Sequence, residues 1–461
     1  MSGISNSLNI AKSALKTQMS IIDVASHNIA NASTPGYSRQ EAKVQALSDD
    51  VRSNGSVSLG AGVDVSEVIR SRNTLYDELY RKENQSLNYN TESEQLINQV
   101  ELLFNEPSDT GLSETINNFF NSWQDLANST ESQATRQSVY SSGEDLTEKI
   151  KGIYNSLVIE RNQVDSEISK IPDQINQISE EIAGLNASIK LGVSQNSQPN
   201  DLRDKRDSLL DDLSGYGNVK AYEQEDGSMN VTLDNQTIVE GSSYTKLNVK
   251  TESDTERGFN KSVIVTEDGS EFTPKNGKLG ALYNFRDSYL PGVFDNLDKI
   301  TNAFVTKVNE IHNAGYGLDG VTGRNYFNPS NTKASNIELS TDIENISNIA
   351  ASIDGTAGDN TNAFNISALS DEKIVDDAYS ISEYYNGMIA KIGTNVNKAK
   401  TGKTNQNLLV TQIDNNRESI KGVNLDEEMV NIIQAQRLYQ SAAKMITVID
   451  QLMQEIINLK S

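Results

Sequence analysis

The chain contains no cysteine, two histidines, one tryptophan and seven prolines in 461 residues. Without cysteine there is neither a disulfide framework nor a thiolate metal site. A chain of this length can bury an adequate core without crosslinks, so the absence fits the cytoplasm and the exterior equally. His27 and His312 lie far apart in sequence, and no His-Glu-x-x-His segment accompanies them. A zinc ligand set is therefore not visible, and each histidine is read as a structural hydrogen-bonding residue. No P-loop and no Gly-x-Ser-x-Gly segment occurs. Gly315, Gly317, Gly320 and Gly323 are not followed by a strand-to-helix phosphate cradle. The sequence thus points to no enzyme activity, no cofactor and no bound metal.

Long apolar runs are missing too. None approaches the roughly 18–20 residues of a membrane span, so no membrane insertion is expected. The N-terminus has no basic cluster followed by an apolar core, so a cleaved secretory signal is not expected either. Basic charge is scarce: 40 Lys and Arg stand against 64 Asp and Glu, for a formal net charge of −24. That balance disfavours nucleic acid and anionic membranes as partners. The acidic excess is uneven. Residues 1–40 carry Lys12, Lys16 and Arg39 against Asp23 alone, and residues 424–461 are nearly balanced, so the burden lies between. Near-neutral ends suit burial against neighbours, and an acidic middle suits solvent.

What is present at both ends is an apolar stripe at helical heptad spacing. Ile4, Leu8, Ala11, Leu15, Ile22, Ala25 and Ile29 form the first, interrupted only by Gln18. Ile432, Ala435, Tyr439, Ala442, Ile446, Ile449, Met453 and Ile456 form the last, without a break. Such stripes call for a partner helix. A two-helix pair with alanines along its seam buries little and is marginal alone.

Between the ends the pattern runs helix, then β, then helix. The first helix is predicted to stop before Pro35, and Thr34-Pro35-Gly36-Tyr37 suits a type II turn. Residues 48–62 read as a loop or hairpin, and 63–68 as a short strand. Long helices are predicted over 73–104, 113–127 and 132–168. A stripe from Val164 to Ile189 follows, with a kink or restart expected at Pro172 and an intramolecular antiparallel coiled coil as its packing. A further helix is expected from Asn200 or Asp201, as N-cap, to about Leu213. Residues 216–273 alternate like strands, with hairpin turns at Glu225-Asp226-Gly227-Ser228 and Glu267-Asp268-Gly269-Ser270. Helix returns over 280–312, loops and short strands fill 315–365, and helix resumes over 371–459 with an interruption near 393–405. Asp201, Arg203, Asp204, Lys205 and Asp207 are the densest charge cluster. It lacks the glycine and glutamate of a calcium loop and is read as i,i+4 ion pairs on a solvated helix face.

Asn28-Ile29-Ala30-Asn31-Ala32-Ser33-Thr34-Pro35-Gly36-Tyr37-Ser38-Arg39-Gln40 resembles the N-terminal motif of the bacterial flagellar rod, hook and hook-associated proteins. Gly422 to Met429, continuing from Gln434 to Lys444, resembles that group's C-terminal motif. The interior separates the members. Pro199 to Asp207, Leu209 to Ser214, Val308 to Gly320 and the stretch from Phe119 to Arg136 are similar to the helical domain of the hook-associated protein 1 family. The resemblance spans nearly the whole chain and is weakest over 216–275 and 325–365. The chain is short for the family, which implies a reduced or missing outer subdomain.

The resemblance implies a structural protein at the junction of hook and filament, secreted to the extracellular flagellum at the hook–filament boundary. The implied partners are the hook subunit, a second hook-associated junction protein, like subunits in a ring, and the type III export machinery with its export chaperone. The expected fold is α+β, mainly α. Terminal helices over 1–34 and 424–461 pair as a coiled coil. A long-helix bundle forms a rod domain from 35–215, 276–315 and 366–423. A β-rich outer domain is inserted at 216–275 and 316–365. The expected assembly interface comprises Leu8, Leu15, Ile22, Asn28, Ile29, Asn31, Pro35, Gly36, Tyr37, Ile432, Tyr439, Ile446, Ile449, Met453 and Ile456, with terminal segments that order on docking. The alternatives are the hook subunit itself, which shares the terminal motifs, and a surface hydrolase on a helical scaffold. The second has only residues 216–365 for its site.

Overall fold

A computed structural model describes residues 2–47, 60–254 and 257–458. Most of the expected loop at 48–62 lies outside the described residues. The chain is mainly helical with small antiparallel sheets. It opens with α1 (Ser2–Asn31), β1 (Gln40–Ala46) and β2 (Val63–Arg70), and continues with α2 (Thr74–Phe104), α3 (Leu112–Asn128), α4 (Gln133–Ser194) and α5 (Asn200–Leu213). Six strands follow: β3 (Val219–Glu223), β4 (Met229–Leu233), β5 (Gln236–Glu240), β6 (Ser243–Tyr244), β7 (Asn248–Ser253) and β8 (Asn260–Val265). After them come α6 (Gly277–Asn284), one π-helical turn at Phe285–Tyr289, α7 (Leu290–Ala314), α8 (Thr361–Ala368), α9 (Ile381–Lys421) and α10 (Leu425–Asn458). The sheets are a β1–β2 pair, a β3–β4–β5–β6 meander and a β7–β8 pair. Both expected hairpin turns form, with Gly227 and Gly269 at positive φ.

Contacts group the chain into two compact units. One holds Met1–Gln85, Asp173–Leu247 and Asn407–Ser461; the other holds Ser86–Pro172 and Asn248–Gln406. Three of the crossings fall inside α2, α4 and α9, so the chain passes between the units mostly as helix.

The core of the second unit is aromatic. Phe119, Trp123, Phe304, Tyr326 and Phe327 are buried, and Phe119 meets Phe304 and Tyr326 edge to face. Tyr326 donates its hydroxyl to the Val139 carbonyl at 2.7 Å, so its polar tip is satisfied inside the core. His312 sits in the same cluster, fully buried. Its Nε2 accepts from the Ala350 amide at 3.0 Å, which makes Nδ1 the donor to the Arg324 carbonyl at 2.8 Å. This is the structural histidine that the sequence suggested.

Several helix boundaries differ from the sequence reading: α8 forms inside the expected loops, the last helical region begins at Ile381 and not near residue 371, and two breaker sites are bridged. α4 runs through Pro172 without a restart. Proline removes one helical hydrogen bond, at a cost of about 3 kcal/mol. Ile168, Ile171 and Ile175 around it are all buried, and each contributes roughly 1.5–3 kcal/mol of burial, so packing outweighs the defect. Likewise α9 is unbroken over 393–405, and the chain breaks later, at Gly422-Val423-Asn424. A glycine inside a helix costs only about 1 kcal/mol. A real stop needs a competing cap, which Asn424 supplies by accepting from the Asp426 amide at 3.0 Å.

The stripe from Val164 to Ile189 is buried apart from half-buried Ile178 and Leu185. In the first unit the helix is hydrogen-bonded to α5, with Arg206 donating to Asn186 Oδ1 at 2.9 Å, and to the four-stranded sheet. Asn176 exchanges two hydrogen bonds with the Leu247 backbone, each 2.8 Å. Asn186 donates to the Met229 and Gly241 carbonyls at 2.8 and 2.7 Å. These two buried amides key the sheet to the helix.

Burial pushes the His312 imidazole down to about 4. An unfolded histidine protonates near 6.5, so between about pH 6.5 and 4 the unfolded chain binds the extra proton and stability falls with pH. The full window is worth about 3 kcal/mol. Denaturant titrations at pH 7 and pH 5 should show a fall of about 2 kcal/mol that is absent in His312→Gln. An equal fall in both would refute the assignment.

Candidate assembly interface

α1 and α10 pack against each other along their length. The exit of α1 meets the entry of α10, since the Arg39 amide donates to the Lys421 carbonyl at 2.8 Å, so the two run antiparallel. Their buried seam is alanine-rich, with Glu428 and Ile449 at its ends on α10. On α10, Glu428, Ala435, Ala442 and Ile449 recur at every seventh position and are buried; on α1, Ala11 and Ala25 are buried. A β-strand also rests on α1. Thr17 Oγ1 donates to the Val63 carbonyl at 3.1 Å, and Ser13 Oγ accepts from the Val63 amide at 3.2 Å. The approach is close enough that a Cβ on Gly62, at φ +107, would collide with Ser13 Oγ.

The expected interface residues divide between this seam and open surface. Leu8, Leu15, Ile22 and Ile29 on α1 and Ile432 and Ile446 on α10 are half-buried, and Ile449 is buried. Tyr439, Met453 and Ile456 are exposed. The sequence reading missed a second set. Leu425, Met429, Val430, Ile433, Leu438, Met445, Val448, Leu452 and Ile457 are exposed apolar residues on the same helix, with Leu438 at 56 % and Ile457 at 66 %. Leu438, Met445 and Leu452 repeat at every seventh position beside the α1 seam, which is the sequence signal that a second face exists. An isolated exposed leucine is ordinary; a continuous helix face of them marks a contact surface.

The remaining expected residues form the corner where α1 ends. Thr34-Pro35-Gly36-Tyr37 closes as the predicted turn, with the Tyr37 amide donating to the Thr34 carbonyl at 3.2 Å and Gly36 at φ +77. Fully buried Asn28 holds the corner. Its Oδ1 accepts from the Tyr37 hydroxyl at 2.8 Å and the Gln40 amide at 2.9 Å, and its Nδ2 donates to the Gln40 carbonyl at 2.9 Å. Asn31 donates back to the His27 carbonyl at 3.0 Å and accepts from Thr34 Oγ1 at 3.3 Å. Burial, with the charges of Asp201, Asp204 and Glu428 around it, pushes the Tyr37 hydroxyl well above its usual range, so it remains a donor. Pro35 is exposed.

The corner is rooted in α5, and here the sequence reading is corrected. Asp201 and Lys205 stay on the exposed face as expected, but the other charges of the helix turn inward. Asp204, Arg206 and Asp207 are buried. Asp207 faces Arg70 and Arg72, each at 2.7 Å; Asp211 meets Arg81 at 2.8 Å and Arg417 at 2.6 Å; Arg417 and Arg72 both reach Asp77 at 2.9 Å. Arg203 turns to Glu223 at 3.4 Å. Asp204, Asp207 and Asp211 share one helix face, and the arginines that reach it come from distant segments, each supplying a fork of donors. Asp204 also accepts from the Ser38 amide at 2.8 Å and the Ser38 hydroxyl at 2.7 Å, which ties the corner to the lattice. Asn200 does not cap the helix with its side chain; its amide donates to the Val68 carbonyl at 2.8 Å. Burial opposes ionisation of Asp207, yet Arg72, Arg70 and Arg81 together hold its carboxyl below the usual range.

Comparison with known proteins draws on the same residues. The model of the flagellar hook-associated protein FlgK helical domain matches residues 97–327. The chain belongs to the flagellar hook-associated protein FlgK family. A flagellar basal body rod model matches residues 8–37, covering α1 and its corner, and a rod-protein C-terminal model matches 418–459, covering α10. Flagellar hook-associated protein 1 of Bacillus subtilis is 28 % identical over 98 % of this chain and 97 % of its own length. That of Escherichia coli is 26 % identical over 99 % and 100 %, in an alignment of 551 positions that leaves the relative with internal insertions. The flagellar hook junction protein FlgK of Burkholderia pseudomallei has a similar fold, with a TM-score of 0.63 at 16 % identity, covering 74 % of this chain and 100 % of that one. The role is structural, in the junction of hook and filament of the bacterial flagellum. The matches favour neither the hook subunit nor a hydrolase.

Two substitutions and one surface control test the root of the interface. Asp207→Asn leaves three arginines short of a counter-charge and should cost about 3–5 kcal/mol, the usual penalty for half of a buried pair. Lys16→Ala, which removes an exposed 3.5 Å pair with Asp64, should cost under about 1 kcal/mol. Asn28→Ala strips Tyr37 and Gln40 of their partners and should cost about 2 kcal/mol, with faster exchange at the Gln40 amide. Equal small losses in denaturant titrations of all three would sink the lattice as an anchor.

Proposed function

We propose that the chain forms a ring of like subunits at the hook–filament boundary, between the hook subunit and a second hook-associated junction protein, through the outer face of α1 and α10. The observation that carries this reading is the row of exposed apolar residues on α10. Such a face is costly in water and is covered once another helix lies on it. Residues 1–34 and 424–461 form the inner layer of that ring. The helical parts 35–215, 276–315 and 366–423 form a rod domain, and 216–275 with 316–365 project outward, where the acidic excess keeps the free chain soluble.

The chain reaches this place through the flagellar type III export machinery, escorted by its export chaperone. Assembly then couples to folding. The α1–α10 seam is alanine-rich, so the pair is weak alone. Docking on neighbours adds the apolar contact that completes it. Among the described residues no helix is long and apolar enough to cross a membrane.

A double substitution on the exposed face, Leu438→Asp with Met445→Asp, tests this. Surface positions of this kind should change monomer stability by under about 0.5 kcal/mol, while incorporation into flagella is lost and gold label disappears from the hook–filament boundary. Retained incorporation would overturn the reading, as would label along the whole hook. Strong hydrogen-exchange protection of residues 4–30 and 430–458 in the free wild-type chain would overturn coupled folding alone.

A further inference from the structure

β3 is the outer strand of the four-stranded meander and pairs on one side alone, with β4. The register decides which of its backbone groups are left over. The Asp234 amide donates to the Asn218 carbonyl at 2.8 Å, and the Gln224 amide donates to the Ser228 carbonyl at 2.7 Å. Both pairs continue the β3–β4 register, so the even-numbered residues between them turn their amides and carbonyls toward β4. Val219, Ala221 and Glu223 turn theirs away, and among the described residues these groups have no hydrogen-bond partner. The free edge opens on a cleft of about 610 Å³, whose lining also includes Glu78, Arg81, Lys82 and Gln85 of α2. Glu223 is spent on Arg203 and Arg206, each at 3.4 Å. Lys220 has no ion-pair partner among the described residues, and it stands exposed on the same face as Tyr222, which is 61 % exposed. The edges of β1 and β7 differ. There the lysines pair within their own strand pair, Lys43 with Glu67 and Lys250 with Glu252, each at 3.0 Å.

We propose that this cleft takes an extended acidic segment of another protein, which adds antiparallel to β3 with apolar residues opposite Val219 and Ala221 and a carboxylate opposite Lys220. Backbone donors and acceptors left open at every second residue match one class of ligand, an extended chain whose own groups alternate with the same period. A helix has already spent its backbone groups and cannot supply them. In an antiparallel pair, residues directly opposite share a face of the sheet. Those opposite Val219 and Ala221 enter the half-buried side, which suits apolar side chains. Those opposite Lys220 and Tyr222 stay on the open side, where a carboxylate gives the lysine its counter-charge. A central lysine also blunts an open edge against indiscriminate pairing. It repels a basic strand and admits an acidic one, so the residue that protects the edge also selects its occupant. The site is independent of the exposed face of α10.

The test uses the full chain and an acetylated, amidated pentapeptide of alternating valine and aspartate. Binding is followed by titration and by hydrogen exchange at single amides. In the free chain the amides of Val219, Ala221 and Glu223 should exchange fast and those of Lys220 and Tyr222 slowly. The peptide should slow the first three roughly tenfold or more. N-methylation of its valines removes the donors that face β3 and should weaken binding by a similar factor. Lysine in place of its aspartates should weaken binding several-fold, and Lys220→Glu should reverse that preference. Ala221→Pro removes an amide that makes no ladder bond and fills the edge, so it should abolish binding with little change in melting temperature. Failure of the aspartate peptide to bind, equal binding of the N-methylated peptide, or an unchanged charge preference in Lys220→Glu would each overturn the proposal. Slowing of the three amides with protein concentration alone would overturn it too, since the edge would then belong to a second copy of this chain. Should Ala221→Pro fail to fold, the charge reversal at exposed Lys220 still decides.

Discussion

Everything about the terminal helices depends on a lattice of buried arginines and aspartates that neither helix contains. Arg70, Arg72, Arg81 and Arg417 converge on Asp77, Asp204, Asp207 and Asp211. These residues come from three stretches of chain separated by more than a hundred positions. Ser38 binds Asp204 just after α1, and Arg417 binds Asp211 just before α10. Burying so much charge is expensive, and an apolar packing of the same volume would be at least as stable. What the charges supply is direction. Each arginine fork accepts a carboxylate in few orientations, so the exits of α1 and α9 are fixed in angle as well as in place.

The seam has the opposite character. Ala11, Ala25, Ala435 and Ala442 give close approach with little interlock, and dispersion between small side chains depends weakly on register. Such a contact is permissive where the lattice is exacting. Weakness here has a use. A pair that was stable alone would leave the exposed face of α10 as a surplus, prone to sticking to any apolar surface. On the proposed function, a pair that needs its neighbours couples that exposure to the act of docking.

The sequence made the terminal helices, the Pro35-Gly36 turn and the β insertion legible, because each rests on local pattern: heptad spacing, a proline followed by glycine, alternation between Gly/Asp turns. What it concealed was set by distant partners. The cluster at 201–207 looked solvated because Lys205 and Arg203 stand within reach of aspartates on the same helix. Only the arrival of Arg70 and Arg72 from another segment makes those aspartates buried. Continuous helix through Pro172 and across 393–405 was hidden for a related reason. Breaker residues carry a fixed local cost, and the tertiary burial that exceeds it is invisible from the sequence. The outer face of α10 also repeats at every seventh position, but the buried stripe beside it carries the stronger pattern.

Exacting root and permissive seam together suggest how one fold serves a boundary between two different structures. A subunit at such a boundary meets unlike neighbours on its two sides, and a single rigid interface cannot match both. Fixing the roots of α1 and α10 through charge keeps the corner at Asn28, Tyr37 and Gln40 in one geometry for every neighbour. In the proposed ring, shafts joined by alanines leave room for a shift of a fraction of a turn as the partner changes. Adaptation is thereby confined to the shafts, where apolar contact tolerates small slips, and kept out of the root, where a misplaced charge would cost several kcal/mol. The order matters: had the charges been in the seam and the alanines at the root, each new neighbour would have required breaking ion pairs, and the subunit would have suited only one of them.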